Sequence, residues 1–259
     1  MTQWQLCTAI FLGYVGLVAA LPRRLPPRNQ VCILGGVALG MFILAVSVRL
    51  PADGLANIWV LPPALLVLGY WTSGLLFIRP MPRAERLLAR IDAVLEIDPL
   101  ARRFPRLVAE FLEFAYSGVY PLIPLALYLA LRHGVSADRF WTTILLTDYV
   151  CFGMLPWVQT RPPRAVGFDA PWRSRWRIVN LRMLNASSVQ VNTFPSGHAA
   201  EALACALLVS GGPAPIVGWM FFNAAAISAG TVFGRYHYAA DVLAGGAVAL
   251  VVWICSFHL

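Results

Sequence analysis

The chain has 259 residues, of which 59% are hydrophobic and 12% charged, and its mean hydropathy is +0.69; so apolar a composition excludes an ordinary water-soluble domain. The formal charge of +8 is carried by arginine alone, since the sequence holds no lysine. Arginines set between apolar runs suit anionic headgroups and phosphate, while the lack of a long basic stretch or interleaved aromatic platform argues against a nucleic-acid partner.

In chain order, runs long enough to cross about 30 Å of hydrocarbon lie near Trp4 to Leu21, Val31 to Val48, Ile58 to Ile78 and Phe114 to Leu131. Four more lie near Phe140 to Val158, Gly197 to Ser210, Ala214 to Phe233 and Tyr238 to Phe257. No basic residue precedes the first run, and Arg23 and Arg24 follow it, so a retained span is expected rather than a cleaved signal peptide. The sixth run is short and bounded by Gly211, Gly212 and Pro213, which suggests a start below the membrane surface. The expected fold is an all-α, polytopic membrane helix bundle of about eight transmembrane helices. Residues 1–56 form an additional N-terminal hairpin, and residues 57–259 form the membrane core.

Two connecting segments are long enough for structure of their own. In residues 79–113, Leu87, Leu88, Ile91, Val94 and Leu95 alternate at helical spacing with Arg83, Arg86, Arg90 and Asp92, the pattern of an interfacial amphipathic helix. In the segment Gln159 to Ser196, Arg173, Arg175, Arg177 and Arg182 read as a solvated or headgroup-facing stretch, and Pro162, Pro163 and Pro171 prevent one continuous helix. Five cysteines, Cys7, Cys32, Cys151, Cys205 and Cys255, fall in apolar stretches without CxxC or Cys/His ligand spacing, so neither a disulfide framework nor a zinc site is expected.

With eight spans, the end of the fifth, the start of the sixth, the end of the seventh and the start of the eighth share one membrane face. The reactive-looking residues sit at those four ends. Of four histidines, His198 and His237 stand there together with Asp241, where ionisable groups are expensive. Asp241 follows His237 by four residues, one helical turn, so its carboxylate can take the proton of one imidazole nitrogen and leave the other nucleophilic. Phosphoryl transfer needs an in-line nucleophile, a proton donor for the leaving oxygen and positive groups around the equatorial oxygens. Arg161, Arg164 and Arg235 can supply that charge, Ser196 and Gly197 can add a hydroxyl and amides at a helix N-terminus, and His198 stands where a leaving alkoxide would be protonated. Asp148 and Glu201, inside spans five and six, fit a polar network near the site, or a pairing with each other or with an arginine. His133 and His258 lie at other span ends.

These residues resemble the membrane-bound type-2 phosphatidic-acid phosphatase superfamily of lipid phosphatases and phosphotransferases, which is related to the vanadium haloperoxidases. The resemblance covers Phe114 to the C-terminus and rests on three blocks. They are Arg161-Pro162, the unaltered run Pro195-Ser196-Gly197-His198, and His237 followed by Asp241 and an apolar VLAG helix. It implies a phosphatase-type core in the C-terminal part, a phosphohistidine on His237 oriented by Asp241, His198 as general acid, and no metal or other cofactor. Two family cations are missing: Met154 stands in place of a lysine and Thr231 in place of an arginine. Arg235 and Arg164 are placed to substitute, as in the branch resembling inositol-phosphorylceramide synthases.

The expected activity is hydrolysis of a lipid phosphate monoester or diphosphate, the partners being the bilayer and a phospholipid or polyprenyl phosphate substrate. The nearest alternative is transfer of a phosphate-containing headgroup to a lipid or polyprenol hydroxyl, and a third is a non-catalytic transporter or scaffold. All arginines except Arg49, Arg132 and Arg139 fall on the site's face, so the charge bias puts the site in the cytoplasm. The resemblance favours the periplasm of a bacterial-type cell membrane.

Overall fold

The computed structural model describes residues 1–21 and 25–257; Arg23, Arg24 and His258 lie outside them. Among the described residues the chain is all-helical. It runs through α1 (Gln3–Ala20), α2 (Pro27–Arg49), α3 (Leu61–Gly74), α4 (Pro82–Val94), α5 (Ile97–Ala101) and α6 (Arg106–Ser117). It continues through α7 (Val119–Arg132), α8 (Ala137–Gly153), α9 (Arg175–Ser187), α10 (Gly197–Leu208), α11 (Ala214–Phe233) and α12 (Ala239–Cys255). An antiparallel bridge joins Thr160 and Asn192.

Local chemistry starts several of these helices. Gln5 Oε1 accepts the Thr2 amide at 2.8 Å to open α1, and the Ser136 hydroxyl accepts the Arg139 amide at 3.2 Å to open α8. Proline sits in the first turn of α2, α4 and α11, where its missing N–H is no loss.

The helix α10 is central and packs on α7, α8, α11 and α12. Its inward residues, Ala199, Ala200, Ala202, Ala204, Cys205 and Ala206, are all buried, and small side chains let helices approach closely where lipid offers no hydrophobic drive for association. The hairpin α1–α2 belongs to the same core. Phe11 stacks on Tyr149 of α8 at 4.0 Å, the Thr8 and Tyr149 hydroxyls lie 3.3 Å apart, and Gln5 donates to the Ser47 hydroxyl at 2.6 Å.

Of the eight expected spans, the described helices bear out fewer by length and composition. Three described helices, α1, α2 and α11, are long and apolar enough to cross a membrane, or up to four if the pair α6 and α7, bent by 59°, is one span. The expected runs are interrupted. A π-turn at Ala56–Val60 precedes α3, Gly118 breaks the fourth run, and α10 has 12 residues, covering about 18 Å at 1.5 Å per residue.

The segment 79–113 also differs in part from expectation. Its amphipathic helix is α4, with Glu85, Leu88 and Asp92 buried and Arg83, Arg86, Leu87 and Arg90 exposed, but its last residues, from Arg106 on, already belong to α6.

Candidate active site

The four helix ends singled out by the sequence are tied together by backbone and side-chain hydrogen bonds. Past the end of α8, Gln159 Oε1 accepts the amides of Ile78 and Arg79 at 2.7 and 3.0 Å. Thr160 then pairs with Asn192, whose side-chain amide donates to the Thr160 hydroxyl at 2.9 Å and to Asp241 Oδ2 at 3.0 Å. The Ser196 amide donates to the Asp241 carbonyl at 2.9 Å, joining the start of α10 to the start of α12. Gly245 permits this approach, since a Cβ there would collide with the Ser196 carbonyl oxygen.

The turn between α11 and α12 presents His237. Arg235 adopts a left-handed conformation at φ 61°, costly for a residue with a Cβ, while the amides of Tyr236 and His237 both donate to the Thr231 carbonyl, at 3.0 and 3.1 Å. Asp241 is fully buried; its Oδ2 accepts the Tyr238 amide at 2.9 Å and lies 3.4 Å from His237 Nδ1. That last contact is just longer than a formed hydrogen bond, as orienting contacts often are before a site tightens. With Nδ1 turned to the carboxylate, Nε2 is the nitrogen left for chemistry.

His198, second residue of α10, is stacked on Tyr116 at 5.0 Å with the rings 5° from parallel, and meets the edge of Tyr120 at 5.9 Å. The centroids of the His198 and His237 rings are 6.2 Å apart. Among the described residues, His198 Nε2, His237 Nδ1 and Asp241 Oδ1 are buried polar atoms without a hydrogen-bond partner. Ser196 is buried, and its hydroxyl caps α10 by accepting the Ala199 amide at 3.5 Å; Gly197 beside it is also buried.

The three arginines differ in their partners. Arg161 lays its guanidinium on Glu85 of α4, with Nε to Oε1 and Nη2 to Oε2 both at 2.9 Å, and its own amide donates to Oε1 at 2.9 Å. Those hydrogen bonds hold the Glu85 carboxyl below its ordinary value. Arg235 is sealed in the protein, with Nη1 2.7 Å from Asp92 and Nη2 3.0 Å from Asp98, so its guanidinium is committed to α4 and α5. Arg164 carries no carboxylate partner among the described residues; it reaches the Tyr236 carbonyl at 3.4 Å and lies over the Tyr236 ring at 5.3 Å. Burial pushes its pKa down.

Arg177 departs from the expected solvated stretch. Arg177 is buried rather than solvated, pairing with Glu113 at 2.8 Å and with Asp169, whereas Arg173, Arg175 and Arg182 are exposed. Asp148 and Glu201 are both buried without an arginine partner among the described residues, and Asp148 Oδ1 lies against Gly197, 3.1 Å from where a Cβ would stand. Among the described residues no group of three or more His, Cys, Asp or Glu side chains is placed to hold a metal ion.

The sequence profile of the PAP2 superfamily matches residues 86–255, well over half of the chain. The chain belongs to the PAP2 superfamily. No curated protein and no solved structure matches it. The matched stretch contains every residue of the histidine site and begins inside α4, so family membership extends to the helix that supplies Asp92 but starts one residue after Glu85. It brings with it a phosphatase- or phosphotransferase-type activity, and the apolar helices fit a membrane setting.

Sequence reasoning missed Asn192, Glu113, Tyr116 and Tyr236, which hold the site from behind. Only Glu113 left a signal: it is an acid facing inward from a helix that carries on into an apolar run.

Proposed function

We propose that this protein is a lipid phosphatase that hydrolyses a phosphate monoester or diphosphate through a phosphohistidine on His237. The observation carrying this reading is the pair of imidazoles 6.2 Å apart, one backed by a buried carboxylate, a spacing that suits two groups flanking one phosphorus. Nε2 of His237 attacks phosphorus while the bond to the lipid oxygen breaks, and His198 gives its proton to that oxygen. Asp241 stabilises the cationic ring formed on His237. Water then attacks the phosphohistidine, returns a proton to His198 and releases inorganic phosphate. Arg164, free of a carboxylate, and Arg161, once it leaves Glu85, neutralise the equatorial oxygens, with the amides at the start of α10 beside them.

Transfer to a lipid or polyprenol hydroxyl is the second reading, favoured by Thr231. It is fully buried and spends its hydroxyl on the Ile227 carbonyl at 2.7 Å, so the family's usual cation has no counterpart at that position.

Purified protein supplied with phosphatidate or polyprenyl diphosphate should release inorganic phosphate and, on quenching with labelled substrate, retain an acid-labile, base-stable label. In His237→Ala both should vanish, turnover falling by about 10³-fold or more. Unchanged turnover in that variant sinks the reading; label without phosphate release, discharged by an added lipid alcohol, moves it to transfer.

A further inference from the structure

Away from the histidine pair, Glu113 of α6 is a hydrogen-bonding hub. Its carboxylate is completely buried and receives four donors: Trp172 Nε1 at 3.0 Å and Arg177 Nη1 at 2.8 Å on Oε1, Asn180 Nδ2 at 3.0 Å and the Tyr236 hydroxyl at 2.5 Å on Oε2. Two acceptor oxygens with four lone-pair directions are thereby filled. Asn180 also donates to the Glu113 carbonyl at 2.8 Å, and Arg177 to the Gly234 carbonyl at 3.0 Å. One acid thus joins α6, α9 and the turn between α11 and α12.

Tyr236 links this hub to both imidazoles. Its backbone directly precedes His237. Its ring stacks on Tyr116 at 3.8 Å, and Tyr116 stacks on His198 at 5.0 Å, so three nearly parallel rings run from the Glu113 hydrogen bond to the second histidine. The guanidinium of Arg164 lies over the outer ring of the stack. Tyr116 is one turn after Glu113 on α6, and α6 reaches α11 this closely only because residue 230 is glycine, where a Cβ would collide with the Leu112 carbonyl oxygen.

We infer that Glu113 is a positioning residue: through the Tyr236 hydroxyl it sets the aromatic stack, and with it the separation and tilt of His198 relative to His237. This rests on the two-histidine reading above. Reacting groups a fraction of an ångström out of line lose rate rather than affinity, because substrate binding draws on contacts the misalignment leaves intact.

The test is a kinetic double-mutant cycle on the full-length protein in detergent or vesicles, with a phosphate-release assay on phosphatidate. Glu113→Gln places an amide nitrogen against donors, and Tyr236→Phe keeps the ring and removes one oxygen. Each should lower kcat about tenfold or more with KM within about twofold, and the double variant should fall no further than the worse single one, since both cut one connection. Losses that multiply, or a lowered unfolding temperature with kcat unchanged, overturn the inference. If Glu113→Gln does not fold, Tyr236→Phe decides alone, and an unchanged kcat overturns it. His237→Ala separates the two levels. If that variant keeps turnover, the two-histidine reading fails; if it is dead while Glu113→Gln turns over at the wild-type rate, only the positioning role fails.

Discussion

Asp92 Oδ2 stands 2.7 Å from Arg235 Nη1, with both side chains nearly sealed from solvent, and the other oxygen of the same carboxylate accepts the Ala239 amide at 2.9 Å. A single acid of α4 therefore grips the turn that presents His237 on both of its sides. Burial pushes the Asp92 carboxyl up, against the pull of that amide and of Arg235, the balance expected of an ion pair whose desolvation is incompletely repaid. Removing one partner leaves a buried cation, which costs about 3–5 kcal/mol, whereas Asp98, 39% exposed at its side chain, belongs to the class worth about 1 kcal/mol or less. Asp92→Ala should therefore lower the thermal unfolding midpoint much further than Asp98→Ala. Equal shifts would show that Arg235 does not depend on α4.

The Glu85 pair makes the docking of α4 acid-sensitive. The carboxyl is held below its ordinary value of 4.5, chiefly by the Arg161 side-chain hydrogen bond. A carboxylate depressed in the folded state contributes stability that is fully present above the unfolded value and is lost as pH falls through the folded one. Asp92, raised by burial, has the opposite sign, so the comparison must be between proteins differing only at Glu85. Hydrogen-exchange protection of α4 should decline below about pH 4.5 in the wild type, while in Glu85→Gln it should be weaker at neutral pH and lack that part of the decline. Matching pH profiles in the two proteins would remove Glu85 from the docking.

Much of the site was legible because its chemistry is written in short blocks. His198 sits in an unaltered four-residue run, and His237 and Asp241 are one helical turn apart, so spacing alone put the carboxylate on the imidazole. The convergence of four helix ends followed from counting span ends, and Thr160, Asn192, Ser196 and Asp241 are joined by hydrogen bonds near those ends. The partners of the arginines were not legible. Whether Arg235 faces a phosphate or Asp92 depends on a contact across 143 residues, and no local pattern encodes it. Glu113 was hidden for the same reason, since its four donors come from α9, the loop before it and the turn after α11.

Gly245 turns the α10–α12 contact into a quantity that can be changed by one methyl group. A Cβ there would meet the Ser196 carbonyl oxygen and crowd the Ala200 amide, 3.4 Å away. Both are backbone atoms, so the helices must part. Overpacking of this kind costs about 1–3 kcal/mol, and the parting would lengthen the bond from the Ser196 amide to the Asp241 carbonyl, now 2.9 Å. Gly245→Ala should lose activity out of proportion to its loss of stability, seen as a fall in kcat at temperatures where the protein remains folded. Gly246→Ala, whose Cβ would make only an ordinary 3.7 Å contact with Leu203, should behave as wild type. If both variants behave alike, the closeness of these two helices is not what aligns the site.

Arg164 and Arg161 offer a final discrimination, because the same substitution should act differently at each. Arg161 already holds two charge-assisted hydrogen bonds to Glu85, and its side chain is 43% exposed; a substrate phosphate gains from it only the difference between phosphate and carboxylate. Arg164 has no carboxylate partner among the described residues, its one hydrogen bond to a carbonyl is a long 3.4 Å, and burial has already driven its pKa down. A phosphate beside it would restore charge compensation that the protein itself withholds. Charge-assisted hydrogen bonds contribute about 1.5–3 kcal/mol, so Arg164→Gln should lower kcat/KM on a lipid phosphate by about 10- to 100-fold, and Arg161→Gln by less than about tenfold. Replacing Glu85 with glutamine should then narrow the contrast, raising the contribution of Arg161 toward that of Arg164. The reverse order, with Arg161→Gln the more damaging variant, would mean that α4 withdraws from the site when substrate binds and that Arg161 is the principal phosphate ligand.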